Sequence, residues 1–235
     1  MNIALILSGG TGTRLGFTLP KQYVKAGGKP VISYCLETLL AHDRIGAVQI
    51  VADSLWQEKL TGWVKEAAKG GGIEKWKGFS LPGANRQISI YHGLMDIRNY
   101  AEDSDYVLIH DAARPLLSTK QISDCLDGAV GHDGAMPVLP MKDTVYSSAD
   151  GKTVGALLNR NEIYAGQAPE VFRLGVYYEA NCRLLPDQIL NINGSTEPAI
   201  LDGLDIAMIP GDEGNFKITT KADLERFCRI VGEIT

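Results

Sequence analysis

LSGGTGTRLGFTLPKQ, residues 7–22, decides how the rest of the chain is read. Gly9, Gly10 and Gly12 stand among threonines directly behind an apolar run, IALIL, and are followed by Arg14 and Lys21. A glycine-rich turn behind a first strand leaves backbone N–H groups bare, because no Cβ blocks a ligand's approach. The dinucleotide fingerprint G-x-G-x-x-G would need its third glycine where Leu15 stands. The phosphate loop G-x-x-x-x-G-K-[ST] also fails, since the pair Gly28–Lys29 runs into Pro30. A tight turn that merely uses glycine accounts for one or two of these residues, but not for the basic pair beside them. What remains is a nest for phosphates, with Arg14 and Lys21 as counter-charges and Pro20 holding the lysine segment extended.

Outward from this turn, apolar strands alternate with helical patterns. Residues 2–8 read as a buried strand, 30–41 as a helix with Pro30 as its first residue, and 47–52 as a second strand. Residues 56–68 are helical up to Gly70–Gly72. A weaker strand falls near 77–82, a helix at 86–98, a strand at 105–110, a helix from Thr119 to Val130 and a strand at GAMPV. This alternation predicts a mostly parallel, twisted, Rossmann-like sheet with helices on both faces, in one domain spanning 1–235. Ligands of such sheets bind at the carboxyl ends of the strands, and GGTGTR and HDAARP both fall there.

The alternation breaks at 142–158, where Asp150–Gly151 sits between two β-prone runs and predicts a hairpin. Val145, Tyr146, Val154, Leu157 and Leu158 are costly to leave in water, so this hairpin, at about 140–160, reads as an arm that grips a second subunit. The chain closes with a strand at NFKIT and a helix from Thr220, with Thr220 and Asp223 placed as N-cap and N3 of a capping box.

Composition sets the outer bounds. The 235 residues are 45% hydrophobic and 22% charged, ordinary for a soluble protein. No apolar run approaches the ~20 residues that span a bilayer. The first strand begins at residue 3 with glycines behind it, so no signal peptide is read and a cytoplasmic setting is expected. Cys35, Cys125, Cys182 and Cys228 are widely spaced and form no metal or redox pair. A net charge of -5 argues against non-specific nucleic-acid binding, while a local basic cleft can still take an anionic small molecule.

LSGGTGTR followed by PKQ resembles the signature G-x-G-x-R…P-K of sugar-type nucleotidyltransferases. More narrowly, it is similar to the cytidylyltransferases acting on 2-C-methyl-D-erythritol 4-phosphate or ribitol 5-phosphate. GANRQIS (83–89), HDAARP (110–115), KDTV (142–145), NRNEIYAGQAPEVF (159–172) and NFKITTKADL (215–224) follow in the same order, so the resemblance spans nearly the whole chain. It implies the nucleotide-diphospho-sugar transferase fold and transfer of CMP from CTP to a polyol phosphate. The nucleophile, a phosphate oxygen, is already an anion, so the obstacle is electrostatic. Two unit charges about 4 Å apart repel by roughly 4 kcal/mol at an effective dielectric near 20. The site should therefore be rich in cations rather than in acid–base pairs.

The resemblance assigns roles. Leu7, Ser8, Gly9, Gly10, Thr11 and Gly12 line the nucleotide, Arg14 and Lys21 hold its phosphates, and Lys217 is the second catalytic lysine. Mg²⁺ would bridge the phosphates. Gly83, Arg86 and Ser89 match the segment that reads cytosine. Asp111 faces the acceptor's hydroxyls or the metal, and Arg114 faces its phosphate side, although the two could equally pair and brace their own loop. His110 reads as structural. Thr144 and Arg160, carried by the arm, would serve the neighbouring subunit's acceptor site in a homodimer. The family's T-P-Q segment is here APE, with Ala168 and Glu170, and a late threonine falls at Asn193 or Ser195. The donor half of the site is thus better specified than the acceptor half. An NAD-dependent oxidoreductase is disfavoured by Leu15 and Arg14. A catalytically silent nucleotide binder is opposed by the retained cations.

Overall fold

The computed structural model describes residues 1–10 and 19–232. In chain order its elements are β1 (Asn2–Leu7), β2 (Lys25–Ala26), β3 (Lys29–Pro30), α1 (Val31–Ala41), β4 (Ala47–Val51), α2 (Ser54–Ala67), β5 (Trp76–Ser80), α3 (Arg86–Ile97), β6 (Tyr106–Asp111) and α4 (Thr119–Gly128). There follow β7 (Gly134–Pro140), β8 (Val145–Ser147), β9 (Ala156–Leu158), β10 (Tyr164–Gly166), β11 (Glu170–Arg173), α5 (Leu174–Cys182), α6 (Glu197–Leu201), β12 (Ile206–Pro210) and α7 (Lys221–Ile230).

β6, β1, β4 and β5 run parallel. β11 is inserted antiparallel between β6 and β7, β10 pairs antiparallel with the far half of β7, and β12 pairs parallel with β7 at the sheet edge. The alternation of side chains along β1 builds both faces of the core. Ala4 and Ile6 join Leu36, Leu39 and Ile122 from α1 and α4 on one face. Ile3 and Leu5 join Ile90, Leu94 and Tyr177 from α3 and α5 on the other. A smaller cluster, with Ala26, Val31, Ile218 and Phe227 at its centre, ties α7 and the segment before it to the β2–β3 ribbon.

Three expectations need correction. Pro30 is the N-cap residue of α1, which begins at Val31. NFKIT is not a strand: Ile218 N donates to Ala113 O at 2.8 Å, and the segment is held by the burial of Asn215 and Ile218 rather than by a ladder. The sheet also contains β10, β11 and β12, short strands whose sequences carry no clear alternation, β11 buried and β10 and β12 largely open to solvent. The capping box of α7 is present, with Thr220 and Asp223 bonded reciprocally.

The hairpin forms from β8 and β9. In its loop, Asp150 Oδ1 accepts the N–H groups of Lys152 and Thr153, both at 2.8 Å, and Gly151 has φ +67°, a left-handed value natural for glycine. Tyr146 on β8, Leu157 on β9 and Val154 just before β9 stand in solvent.

Candidate active site

The site is assembled where β1 and β6 end. Ser8, just beyond β1, donates its N–H to Val51 O at 2.9 Å, so the turn starts in line with the sheet. A Cβ on Gly9 would come within 2.6 Å of Pro82 Cβ, whereas none of the described residues lies within 4 Å of the corresponding position on Gly10. Glycine at position 9 is thus a packing requirement. Gln22, buried in the short 3-10 helix Lys21–Tyr23, donates from Nε2 to Ser8 O and to Gly10 O, each at 2.7 Å. The neighbouring Tyr23 hydroxyl exchanges hydrogen bonds with Ser8. The two side chains thereby hold the Ser8 and Gly10 carbonyls against the Lys21–Tyr23 turn. Thr11, Gly12 and Arg14 lie outside the described residues.

Across from this turn, Asp111 at the end of β6 gathers three cations. Lys217 Nζ is 2.9 Å from Oδ2, Arg86 Nη2 is 3.1 Å from Oδ1, and Arg114 Nε is 3.8 Å from Oδ2. Burial alone would raise the Asp111 carboxyl. Arg86 and Lys217, with a smaller contribution from Arg114, outweigh it and hold the group well below the usual carboxylate range. Asp111 therefore stays ionised, and three positive charges share one negative partner.

Lys217 reaches this position through a chain of buried amides. Asn215 Nδ2 donates to Gln121 Oε1 and to Ala168 O, each at 2.8 Å, and Gln167 Nε2 donates to Asp212 O at 2.7 Å. Arg114 Nη1 donates to Asn215 O at 2.7 Å. The loop is thereby fixed from α4, from the segment before β11 and from the cation cluster itself. Under it, His110 donates from Nε2 to Arg114 O at 2.9 Å. Burial lowers its pKa to about 4, so the ring is neutral and structural near neutrality.

The expected residues are redistributed in part. Arg86 leaves the Gly83–Ser89 segment and joins Asp111 and Ser195. Ser89 Oγ accepts from Gly83 N at 2.9 Å and donates to Asn85 O at 2.8 Å, so it shapes that turn from within. Of the two positions offered for the late threonine, Ser195 is buried and touches Arg86, while Asn193 is exposed. Asp111 and Arg114 do pair, and Asp111 also binds two further cations. Thr144 and Arg160 are exposed at the root of the arm, with Arg160 Nη1 donating to Lys142 O at 2.9 Å. Among the described residues no group of three or more His, Cys, Asp or Glu side chains could hold a metal. A divalent cation on Asp111 would meet the three positive charges already there. The residues that motif reading missed are Gln22, Glu170 and the amides Gln121, Gln167 and Asn215; all but Gln121 lay inside a quoted motif, and none of those motifs showed what the side chain would touch.

An open, mainly parallel sheet with a glycine turn and a cation cluster at its carboxyl ends is the framework of a nucleotidyltransferase. The family model of IspD, 2-C-methyl-D-erythritol 4-phosphate cytidylyltransferase, matches residues 2–233, and the chain belongs to that family. A 2-C-methyl-D-erythritol 4-phosphate cytidylyltransferase of Nitrosomonas eutropha is 34% identical over 95% of this chain and 93% of its own length. A ribitol-5-phosphate cytidylyltransferase of Lacticaseibacillus paracasei is 28% identical over 97% of this chain and 96% of its own. The 4-diphosphocytidyl-2C-methyl-D-erythritol synthase structure from Anaerococcus prevotii shares the fold, with a TM-score of 0.81 at 20% identity, covering 98% of this chain and 97% of that one.

Proposed function

We propose that the chain transfers CMP from CTP to a polyol phosphate of the methylerythritol 4-phosphate or ribitol 5-phosphate kind, in the cytoplasm, as a single nucleotidyltransferase domain. The observation that carries this reading is the convergence of Arg86, Arg114 and Lys217 on Asp111, beside the glycine turn. An oxygen of the acceptor phosphate attacks the α-phosphorus of CTP. The bond from that phosphorus to the bridging oxygen of the β-phosphate breaks, and pyrophosphate leaves with the electron pair. No general base is required, because the nucleophile is ionised. The work of the protein is to cancel repulsion between two anions and to hold them in line.

In this reading Gly9 and Gly10, with Leu7, Ser8, Thr11 and Gly12, cradle the nucleotide. Arg14 and Lys21 face the β- and γ-phosphates, and Lys217 faces the α-phosphate. Gly83 faces the base, with Ser89 bracing its turn; Arg114 and Ser195 belong to the acceptor side. Mg²⁺ supplies charge neutralisation on the triphosphate. The described residues suit an ion carried by phosphate oxygens better than one held by Asp111. The exposed apolar side chains of the arm suit a homodimer, in which Thr144 and Arg160 of one subunit serve the acceptor site of the other.

Incubation with CTP, Mg²⁺ and each polyol phosphate in turn, with detection of pyrophosphate and the CDP-alcohol, tests the reading. Product with one of these acceptors is expected. CTP binding without product on every acceptor would refute it.

A further inference from the structure

Glu170, at the start of β11, has no role in the chemistry above, yet its carboxylate is buried inside the site with only 8% of the residue exposed. It accepts hydrogen bonds from the Ser195 hydroxyl and from Thr196 Oγ1, the latter at 3.3 Å. Ser195 Oγ in turn accepts from Arg86 Nη1 at 2.7 Å. Arg86 gives Nε and Nη2 to Asp111 Oδ1, at 3.3 and 3.1 Å. A line of partners therefore runs from the interior outward: Glu170, Ser195, Arg86, Asp111.

A serine hydroxyl has one proton. Because Ser195 gives that proton to Glu170, its oxygen is turned to Arg86 as an acceptor. A guanidinium has five N–H groups in a fixed fork, and three of these are held by Asp111 and Ser195. Two remain unengaged among the described residues, on a side chain that is 31% exposed. Fixed at two points and open at its edge, the guanidinium suits an oxyanion. Ser195 is itself 1% exposed, so it serves as a strut and not as a surface for ligand.

We propose that Glu170 is a positioning residue, which acts through Ser195 to aim the two open N–H groups of Arg86 at a phosphate oxygen of the acceptor. The inference rests on the polyol-phosphate reading above. Burial pushes the Glu170 carboxyl above its ordinary range, while Arg86 and the Ser195 hydroxyl pull it back.

The test is steady-state kinetics of wild type, Glu170→Ala, Glu170→Gln, Ser195→Ala and the Glu170→Ala/Ser195→Ala pair, with CTP and the acceptor varied separately. Loss of the strut should raise the acceptor KM about tenfold in Glu170→Ala and Ser195→Ala, while the KM for CTP stays within about twofold. Glutamine keeps an accepting oxygen for Ser195, so Glu170→Gln should stay within about threefold of wild type. The double variant should be no worse than either single one, because both cut the same line. Additive losses, an unchanged acceptor KM, or a rise confined to the KM for CTP would overturn the positioning role. Should Glu170→Ala not fold, Ser195→Ala and Glu170→Gln decide by the same criteria. A wild type that turns over no polyol phosphate would overturn the functional reading first, and is recognised by that arm alone.

Discussion

Lys217 holds its ammonium 2.9 Å from a carboxylate oxygen of Asp111, the residue that ends β6. Neither a strand nor a helix places Lys217 there; buried amides do. Asp111 is thus the hub on which the basic residues of the site are oriented. Asp111→Asn would keep the shape and remove the charge, leaving Arg86, Arg114 and Lys217 to repel one another. Breaking a buried ion pair in this way should lower unfolding stability by roughly 3 kcal/mol, read from urea denaturation. A variant as stable as wild type would show that the cluster relaxes without its hub.

His110 predicts an acid limb in the stability profile. Its folded pKa, about 4, lies below the ordinary 6.5, because burial disfavours the charged ring. The unfolded chain then takes up the proton first as pH falls. The contribution is complete above pH 6.5 and is lost progressively down to pH 4. Its full size is on the order of 3 kcal/mol. Stability measured from pH 7 to 4 for wild type and His110→Gln isolates it as a difference. Parallel curves over that window would contradict the neutral, buried assignment.

Gln22 predicts a loop defect confined to the donor substrate. Gln22→Ala removes both hydrogen bonds to the carbonyls of Ser8 and Gly10. At about 1 kcal/mol for each bond, the KM for CTP should rise roughly tenfold or more. The acceptor KM should not move. Equal changes for both substrates would assign Gln22 to general stability.

The arm predicts a subunit interface. Leu157 is 67% exposed on β9, so Leu157→Asp leaves the packing of its own chain intact. Sedimentation should report a dimer for wild type and a monomer for the variant. A wild-type monomer at working concentration would remove the arm from the account.

The sequence made the central sheet legible, because β1, β4 and β6 are apolar runs between well-spaced helical patterns. The capping box at Thr220 and the loop at Asp150–Gly151 were legible too, since both use local side-chain-to-backbone bonds. β10 and β12 were not. Their short segments, exposed in β10 and largely open in β12, gain order from pairing with β7. NFKIT looks like a strand by composition, yet Asn215 and Lys217 are fixed by side-chain bonds to residues distant in sequence. The same limit applies to Arg86. Its motif places it beside Gly83 and Ser89, and only the fold shows that its guanidinium crosses to Asp111 and Ser195.

The central claim is that a shared set of positive side chains lets two anionic reactants meet. It is tested most directly by single-turnover measurement of pyrophosphate release, with CTP and polyol phosphate both saturating, for wild type and Lys217→Ala. The account predicts a fall of roughly a hundredfold or more in the chemical step, with Asp111 and the rest of the cluster still folded. A Lys217→Ala enzyme that releases pyrophosphate at the wild-type rate would contradict it.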